Sequence, residues 1–346
     1  MNTLKVFSDN LPAIPMNTTW LLADLGEAKG KQELFKQQSP QRLKVLREHA
    51  IVESAVSSNR IEGVTIDQKR IGTVGFGKSL LRDRNEEEIR GYRNVLNIIH
   101  PHWDKIPLSE DTVKDFHSRI RGNIWDAGEY KTSDGDIIEK YADGRERIRF
   151  KTVPAEDTPV FMKKLIAYWD STLREGRIHP FLALAAFNLD FLCIHPFRDG
   201  NGRVSRLLFL LGCYKLGFEV GRYISLERLI EENKERYYES LEISSQSWHE
   251  GKHDPWPYMN HILFILKTAY QELENRAYHT GVPKGAKTQM IQSAIDTFYD
   301  SFTFSELRMK CPTVSADMIR KVLKDLKNRG KLHCTGRGPK AQWKKR

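Results

Sequence analysis

Cysteine is scarce in this sequence and never paired. Cys193, Cys213, Cys311 and Cys334 are spread over 346 residues with no CxxC spacing, which excludes a disulfide framework and fits free thiols in a reducing compartment. Long apolar runs are missing too. No segment approaches ~18 apolar residues, and "MNTLKVFSDNLPAIPMN" at the start lacks a basic region followed by an apolar core. A membrane span or export signal is therefore not expected, and a cytoplasmic location is. Internal repeats and low-complexity tracts are absent. Strand signals are few: only "IIEKYADGRERIRF" alternates on both sides of a hairpin-type Asp143-Gly144 turn. Acidic residues thin out in one place. From Arg276 to Arg346, 16 Lys and Arg stand against 5 Asp and Glu, a difference of +11, while the whole chain carries +10. The basic character thus belongs to the C-terminal fifth, which argues for a local acidic partner rather than a chain-long one.

What is present is mostly helical pattern, and 40% hydrophobic residues suffice for a sizeable core. In "SPQRLKVLREHAIVESAVSSNRIEG", Leu43, Leu46, Ala50, Ile51, Ala55 and Ile61 recur at helical spacing, with Ser39-Pro40 at the start and Gly63 at the end. One long helix over about 40–63 follows. "RNEEEIRGYRNVLNII", "SEDTVKDFHSRI", "PVFMKKLIAYWDSTL" and "NKERYYESLEISSQS" read as further helices. "NRAYHTGVPKGAKTQ" breaks the pattern as a linker. Beyond it, "QMIQSAIDTFY", "TFSELRMKC" and "SADMIRKVLKDLKNRG" read as three helices, the last with Ser315 as N-cap, followed by "KLHCTGRGPKAQWKK" as a two-stranded wing. The expected fold is mainly α. Its parts are an N-terminal helical region (1–109), a helical core with a hairpin (110–275), a linker (276–288) and a winged-helix module (289–346). Arg320, Lys321, Lys324 and Lys327 on the third helix of that module suit DNA phosphates, although winged helices also bind proteins.

Two motif matches are decoys. "GTVGFGKS" (72–79) has the P-loop pattern, but a P-loop follows a buried strand and "EGVTIDQKRI" is polar. "HEGKH" (249–253) has the HExxH pattern, but Gly251 inside it and Asp254-Pro255 after it oppose the helix that would bring both imidazoles to one metal.

The chemistry lies in "HPFRDGNGRVSR" (195–206), set between the buried-looking runs "FLALAAFNLDFLCI" and "LLFLLGCYKLG". Glycines flanking Asn201 let successive backbone N–H groups turn inward, and the helix that follows adds its positive N-terminal end, so the turn suits phosphate. Arg203 and Arg206, three apart on the first turn, can reach toward the same anion. Asp199 is suited to a magnesium ion bridging two phosphates. His195, closing a buried helix, is suited to accept a proton from a hydroxyl. Together they suggest transfer of part of a nucleoside triphosphate.

This stretch resembles the Fic (filamentation induced by cAMP) proteins, whose motif HPFx[D/E]GNGRxxR it meets without departure. The resemblance implies a Fic-type helical core with the hairpin as a flap over the site that pairs with the target's backbone. It also implies transfer of AMP from ATP, with Mg2+, to a Ser, Thr or Tyr hydroxyl of a target protein or of the chain itself, releasing pyrophosphate. It assigns His195 as general base and Asp199 as metal ligand. The nucleotide-binding stretch comprises Gly200, Asn201, Gly202, Arg203, Val204, Ser205 and Arg206. Tyr237 and Tyr238 are candidates for the base, or simply for helix packing. The family's kinase branch usually lacks the second glycine, and Gly202 is present; the family also includes phosphocholine transferases. "SSNRIEG" further resembles the inhibitory pattern [S/T]xxxE[G/N], which Ser58, Glu62 and Gly63 meet. Ser58 and Glu62 share one helix face, and Glu62 would take the place of the γ-phosphate by pairing with Arg206. A DNA-binding regulator with a nucleotide-sensing Fic core is the alternative, so DNA and a second copy of the chain join the target protein as candidate partners.

Overall fold

The structure is a computed structural model that describes residues 2–38, 40–64, 83–140, 143–278, 286–296, 298, 301–311, 314–336, 338 and 341–345. Its described residues form fourteen α-helices, one hairpin and one three-stranded sheet. The site is positioned by two antiparallel helices, α7 (Pro180–Ile194) and α8 (Asn201–Lys215), joined by the loop 195–200. Pro180 starts α7 with its φ already helical and no N–H to leave unbonded, and every residue from Phe181 to Ile194 is buried. The all-round apolar run is therefore a central helix. Two polar residues interrupt it, and each has partners. Asp190 accepts from the N–H groups of Thr3 and Leu4, both at 3.0 Å, and from Trp248 Nε1 at 2.6 Å. It thereby caps α1 (Thr3–Asp9), where a carboxylate meets unpaired amides and the positive helix end. Asn188 donates to Ser205 O at 2.8 Å and accepts from Tyr258 Oη at 2.6 Å, tying α7 to α8 and to α11 (Trp256–Tyr278).

Around this pair pack α2 (Met16–Gln38), α3 (Pro40–Ile61), α4 (Arg84–His102), α5 (Glu110–Arg121), α6 (Thr158–Glu175), α9 (Leu226–Glu232) and α10 (Lys234–Ser245). Ser109 caps α5, accepting from Thr112 N at 3.3 Å, and Asp83 caps α4, accepting from Glu86 N at 3.0 Å. α4 and α5 meet closely where Gly91 faces the Arg119 carbonyl, a spot with no room for a Cβ. α3 lies against α9 and α4, so its C-terminal end arrives at the N-terminus of α8. No helix among the described residues is long and apolar enough to cross a membrane.

The hairpin pairs β1 (Ile137–Lys140) with β2 (Glu146–Phe150) antiparallel, Ile138 opposite Ile148 and Glu139 opposite Arg147. Arg147 and Arg149 fasten it to Glu242 of α10 at 2.6 and 2.8 Å.

The C-terminal residues have a separate small core of Ile291, Ile295, Phe302, Leu307, Ile319, Leu323 and Leu326. There α12 (Ala286–Asp296), β3 (Ser301–Thr303), α13 (Phe304–Lys310), α14 (Ala316–Asn328), β4 (Leu332–Thr335) and β5 (Gln342–Lys345) follow one another, with sheet order β3-β5-β4. Two sequence expectations change here. The stretch read as a linker is partly helical, because α11 continues to Tyr278 and α12 begins at Ala286. "SFT" (301–303), unread as a strand, completes the sheet through Phe302 opposite Trp343. The P-loop-like stretch 72–79 lies outside the described residues. In the other decoy, His249 faces Lys151 O at 2.7 Å and His253 faces Thr3 Oγ1 at 2.8 Å, so each imidazole serves the surrounding fold.

Candidate active site

His195 ends α7 with φ 53°, a left-handed conformation that histidine tolerates better than most residues, and its N–H still reaches Phe191 O at 3.0 Å. The loop beyond it is closed by Asn201, whose side chain donates to Phe197 O at 2.7 Å and accepts from Phe197 N at 2.9 Å. Asn201 is thus the staple of the turn, with its side chain directed into the protein. Phe197 stacks on His117 of α5, the rings 3.7 Å apart and 4° from parallel. His117 Nδ1 accepts from Gly128 N at 2.9 Å, which leaves the proton on Nε2 for Asp199 O at 3.0 Å. Burial lowers His117 to about 4, consistent with a neutral ring in that role. Gly200, at φ 86°, turns the chain into α8.

The cradle itself lies at Gly202, on the first turn of α8, where a Cβ would collide with Glu62 Oε1 and stand 3.2 Å from Arg206 Nη1. Arg206 is buried. Its Nε donates to Ser58 Oγ at 2.9 Å, and its Nη2 donates to Ser58 O and to Glu62 Oε1, both at 2.8 Å. Burial opposes the charge on Arg206, but Glu62, Tyr237 and Tyr92 together outweigh it and raise the pKa. Arg206 Nη1 is buried with no acceptor among the described residues. Ser58 and Glu62 lie one turn apart on the face of α3 that meets α8, and Gly63, at φ 80°, turns the chain away beyond them. A carboxylate therefore stands where an anion would be held, against a guanidinium and a helix N-terminus.

Arg203 is placed differently from Arg206. It is 1% exposed and holds Glu88 of α4, with Asp199 Oδ1 and Asn59 Oδ1 each at 3.3 Å. Its guanidinium pairs with the protein's own carboxylates. Val204 and Ser205 follow it on α8. Both are fully buried, with Val204 N bonded to Gly200 O at 3.0 Å and Ser205 Oγ to Gly202 O at 2.8 Å. Both brace the first turn of α8. Tyr237 is 3% exposed and packs among Tyr238, Tyr258 and His261. Tyr238 is half-buried and donates to Ile61 O at 3.2 Å, so it touches the end of α3.

The Asp199 side chain is 52% exposed at the rim. Burial would raise its pKa, but Arg203, Arg121, the Gly200 N–H and Arg84 together hold the carboxyl below the usual range. An ionised, half-open oxygen donor fits one ligand position of a magnesium ion, which needs only one or two carboxylates beside water and phosphate oxygens. No cluster of three His, Cys, Asp or Glu suited to a metal occurs among the described residues. Sequence reasoning missed Glu88, Arg121, His117 and Lys131. Glu88, 3% exposed, joins Arg84, Arg121 and Arg203 behind the loop, yet in "EEE" nothing separates it from Glu86 and Glu87. Lys131 Nζ donates to Ile194 O at 3.4 Å and Lys131 N to Pro196 O at 2.9 Å.

Residues 107–212 match the Fic/DOC family. The fold is similar to a Fic family protein from Desulfovibrio desulfuricans at a TM-score of 0.64, with 21% identity over 97% of each chain. It is also similar to a Fic domain-containing signaling protein from Bacteroides thetaiotaomicron at 0.60, with 22% identity over 75% of this chain and 98% of that one. Fic-1 from C. elegans matches at 0.57, with 20% identity over 81% of this chain and 82% of that one.

Proposed function

Because the chain carries a Fic/DOC family domain over residues 107–212, and such proteins generally transfer nucleotide-derived groups, we propose that it is a protein adenylyltransferase restrained by its own α3. The observation that carries this reading is the carboxylate of Glu62 seated on Arg206 at 2.8 Å over Gly202. It marks a cradle made for anionic oxygens, with an imidazole at the start of the same loop. In the reaction proposed, a Ser, Thr or Tyr hydroxyl oxygen attacks the α-phosphorus of ATP. The P–O bond to the β-phosphate breaks, pyrophosphate leaves, and His195 takes the hydroxyl proton. Asp199 would hold a magnesium ion, which supplies charge neutralisation across two phosphate groups. The Gly202 amide region and Arg206 hold the polyphosphate, and Asn201 and His117 keep the loop in shape for it. Burial, then the Lys131 ammonium, lowers His195 to about 4, so the imidazole is neutral and able to accept a proton at physiological pH. With Glu62 in place, a phosphate cannot also occupy the Arg206 position, and transfer is slow. The direct test is incubation with α-labelled and γ-labelled ATP. Protein-bound label from the α-position alone supports AMP transfer, and label from the γ-position sinks it in favour of a kinase.

A second reading concerns the C-terminal module, and the observation favouring it is the exposure of Lys321, Lys324 and Lys327 on α14, with exposed Lys331 and His333 leading into β4. The order helix, strand, two helices and two strands supports reading it as a winged helix, a module that lays one helix in the major groove. Duplex DNA is the partner this charge suits. Each phosphate contact steepens the dependence of log K on log salt by ~0.9. Replacing Lys321, Lys324 and Lys327 by glutamine is therefore expected to flatten that slope by ~3, measured by anisotropy of a labelled duplex from low to physiological salt. An unchanged slope removes α14 from the binding surface.

A further inference from the structure

Lys131 precedes the hairpin and is 7% exposed, yet no pairing carboxylate lies on it among the described residues. Its bonds go elsewhere. The backbone N–H donates to Pro196 O at 2.9 Å, and Nζ donates to Ile194 O at 3.4 Å and to Thr152 Oγ1 at 2.7 Å. Thr152 in turn donates to Gly135 O at 2.7 Å. The two carbonyls that accept from Lys131 belong to the residues immediately before and after His195. One lysine thus clips both sides of the only left-handed non-glycine residue in the motif, and fastens it to both feet of the hairpin. A left-handed backbone at such a residue costs of order 1 kcal/mol and persists where its surroundings over-determine it. A buried lysine is also an expensive means of holding two carbonyls that a neutral donor could hold, which leaves its charge to be explained.

We propose that Lys131 is a positioning residue for His195: it fixes the left-handed turn that presents the imidazole to the acceptor hydroxyl and keeps a positive charge beside the ring, so that the ring stays an unprotonated base. The inference rests on the reading of His195 as the base. The groups that bear on the ring are Lys131 from the hairpin root, which opposes protonation, and Glu62 just beyond α3 and Asp199 of the loop, which favour it. The Leu192 carbonyl, 3.4 Å from Nδ1, also favours protonation. Lys131 is itself lowered to about 8, chiefly by burial, with Asp134 and Asp136 opposing. Its charge is therefore in place through neutral pH.

The test follows the His195 imidazole directly by NMR titration of the full chain, its signal assigned by loss in the His195→Asn variant. In Lys131→Met the His195 midpoint is expected to move up by about one pH unit or more, and in Lys131→Arg to stay within a few tenths of the parent. In parallel, kcat for AMP transfer in Lys131→Met is expected to fall about tenfold or more with KM for ATP unchanged, and Lys131→Arg to recover most of it. Should the methionine variant not fold, Lys131→Gln removes the same charge and keeps a donor. A His195 midpoint that does not move when the charge is removed overturns the proposal, as does an equal loss of kcat in the arginine variant. The titration needs no turnover, so an absence of AMP transfer in the parent would count against the enzymatic reading alone.

Discussion

Replacing Glu62 by glycine is expected to raise AMP transfer roughly 10- to 100-fold, the range that a coupling free energy of about 1.4 to 2.8 kcal/mol supplies. The Arg206 guanidinium is 4% exposed and Glu62 29%, so this pair is worth more than a solvent-exposed one, near ~0–1 kcal/mol, and less than a wholly buried one. The substitution is local. Glu62 follows the last helical residue, Ile61, and precedes the left-handed Gly63, where a further glycine costs little helix. Arg206 keeps both Ser58 acceptors, which predicts a folded variant with a somewhat lower Tm that recovers when ATP binds. Ser58→Ala removes one of those acceptors and leaves the Glu62 carboxylate, so it should lose stability without a comparable rise in transfer. The measurement is initial rate of α-label incorporation at saturating ATP. Equal rates in parent and variant would show that Glu62 does not restrain the site.

The loop proposed to do the chemistry was legible because its residue types stand out from both flanking runs. Two glycines, an asparagine and arginines are out of place between two apolar runs, and the structure places them at the end of a helical hairpin. Helix α3 and the β1–β2 hairpin were legible for a different reason: spacing of Leu43, Leu46, Ala50 and Ala55 in one, and an Asp-Gly turn in the other. Helix α2 escaped reading because "MNTTWLLADLGEAKGKQELFKQQ" carries two glycines and scattered apolar residues, and its order comes from packing on α11. β3 escaped because three residues are too short to show alternation; its partner β5 lies some forty positions later. The supporting shell of the site was hidden for a similar reason. His117, Glu88 and Lys131 come from three separate segments and act on a loop 64 to 111 residues away in sequence (Lys131 to His195, Glu88 to Asp199), so no local pattern marks them. The different partners of Arg203 and Arg206 were hidden too, because helical spacing fixes which side chains are neighbours and leaves open which one a buried glutamate engages.

The second large effect is expected at His195, measured in the Glu62→Gly background so that restraint does not mask it. Loss of a general base typically costs ~10²–10⁴ in rate. His195→Ala should show that loss, but alanine also disfavours the left-handed φ of 53° and disturbs the turn that leads to the cradle. His195→Asn is the sharper variant, since asparagine tolerates this conformation and cannot take up the proton. It is expected to lose transfer by the same factor while ATP still protects the chain against thermal unfolding as it does the parent. The pH profile separates the roles further. With His195 lowered to about 4, its unprotonated form prevails above that value, so transfer should be nearly level from pH 6 to 7 and fall on the acid side only as pH drops toward 4. An acid limb centred near 6.5, the value of an unperturbed histidine, would mean that the imbedded environment of the ring is not what sets its basicity. Retention of transfer in His195→Asn would remove His195 from the chemistry and leave the cradle as a nucleotide-binding site alone.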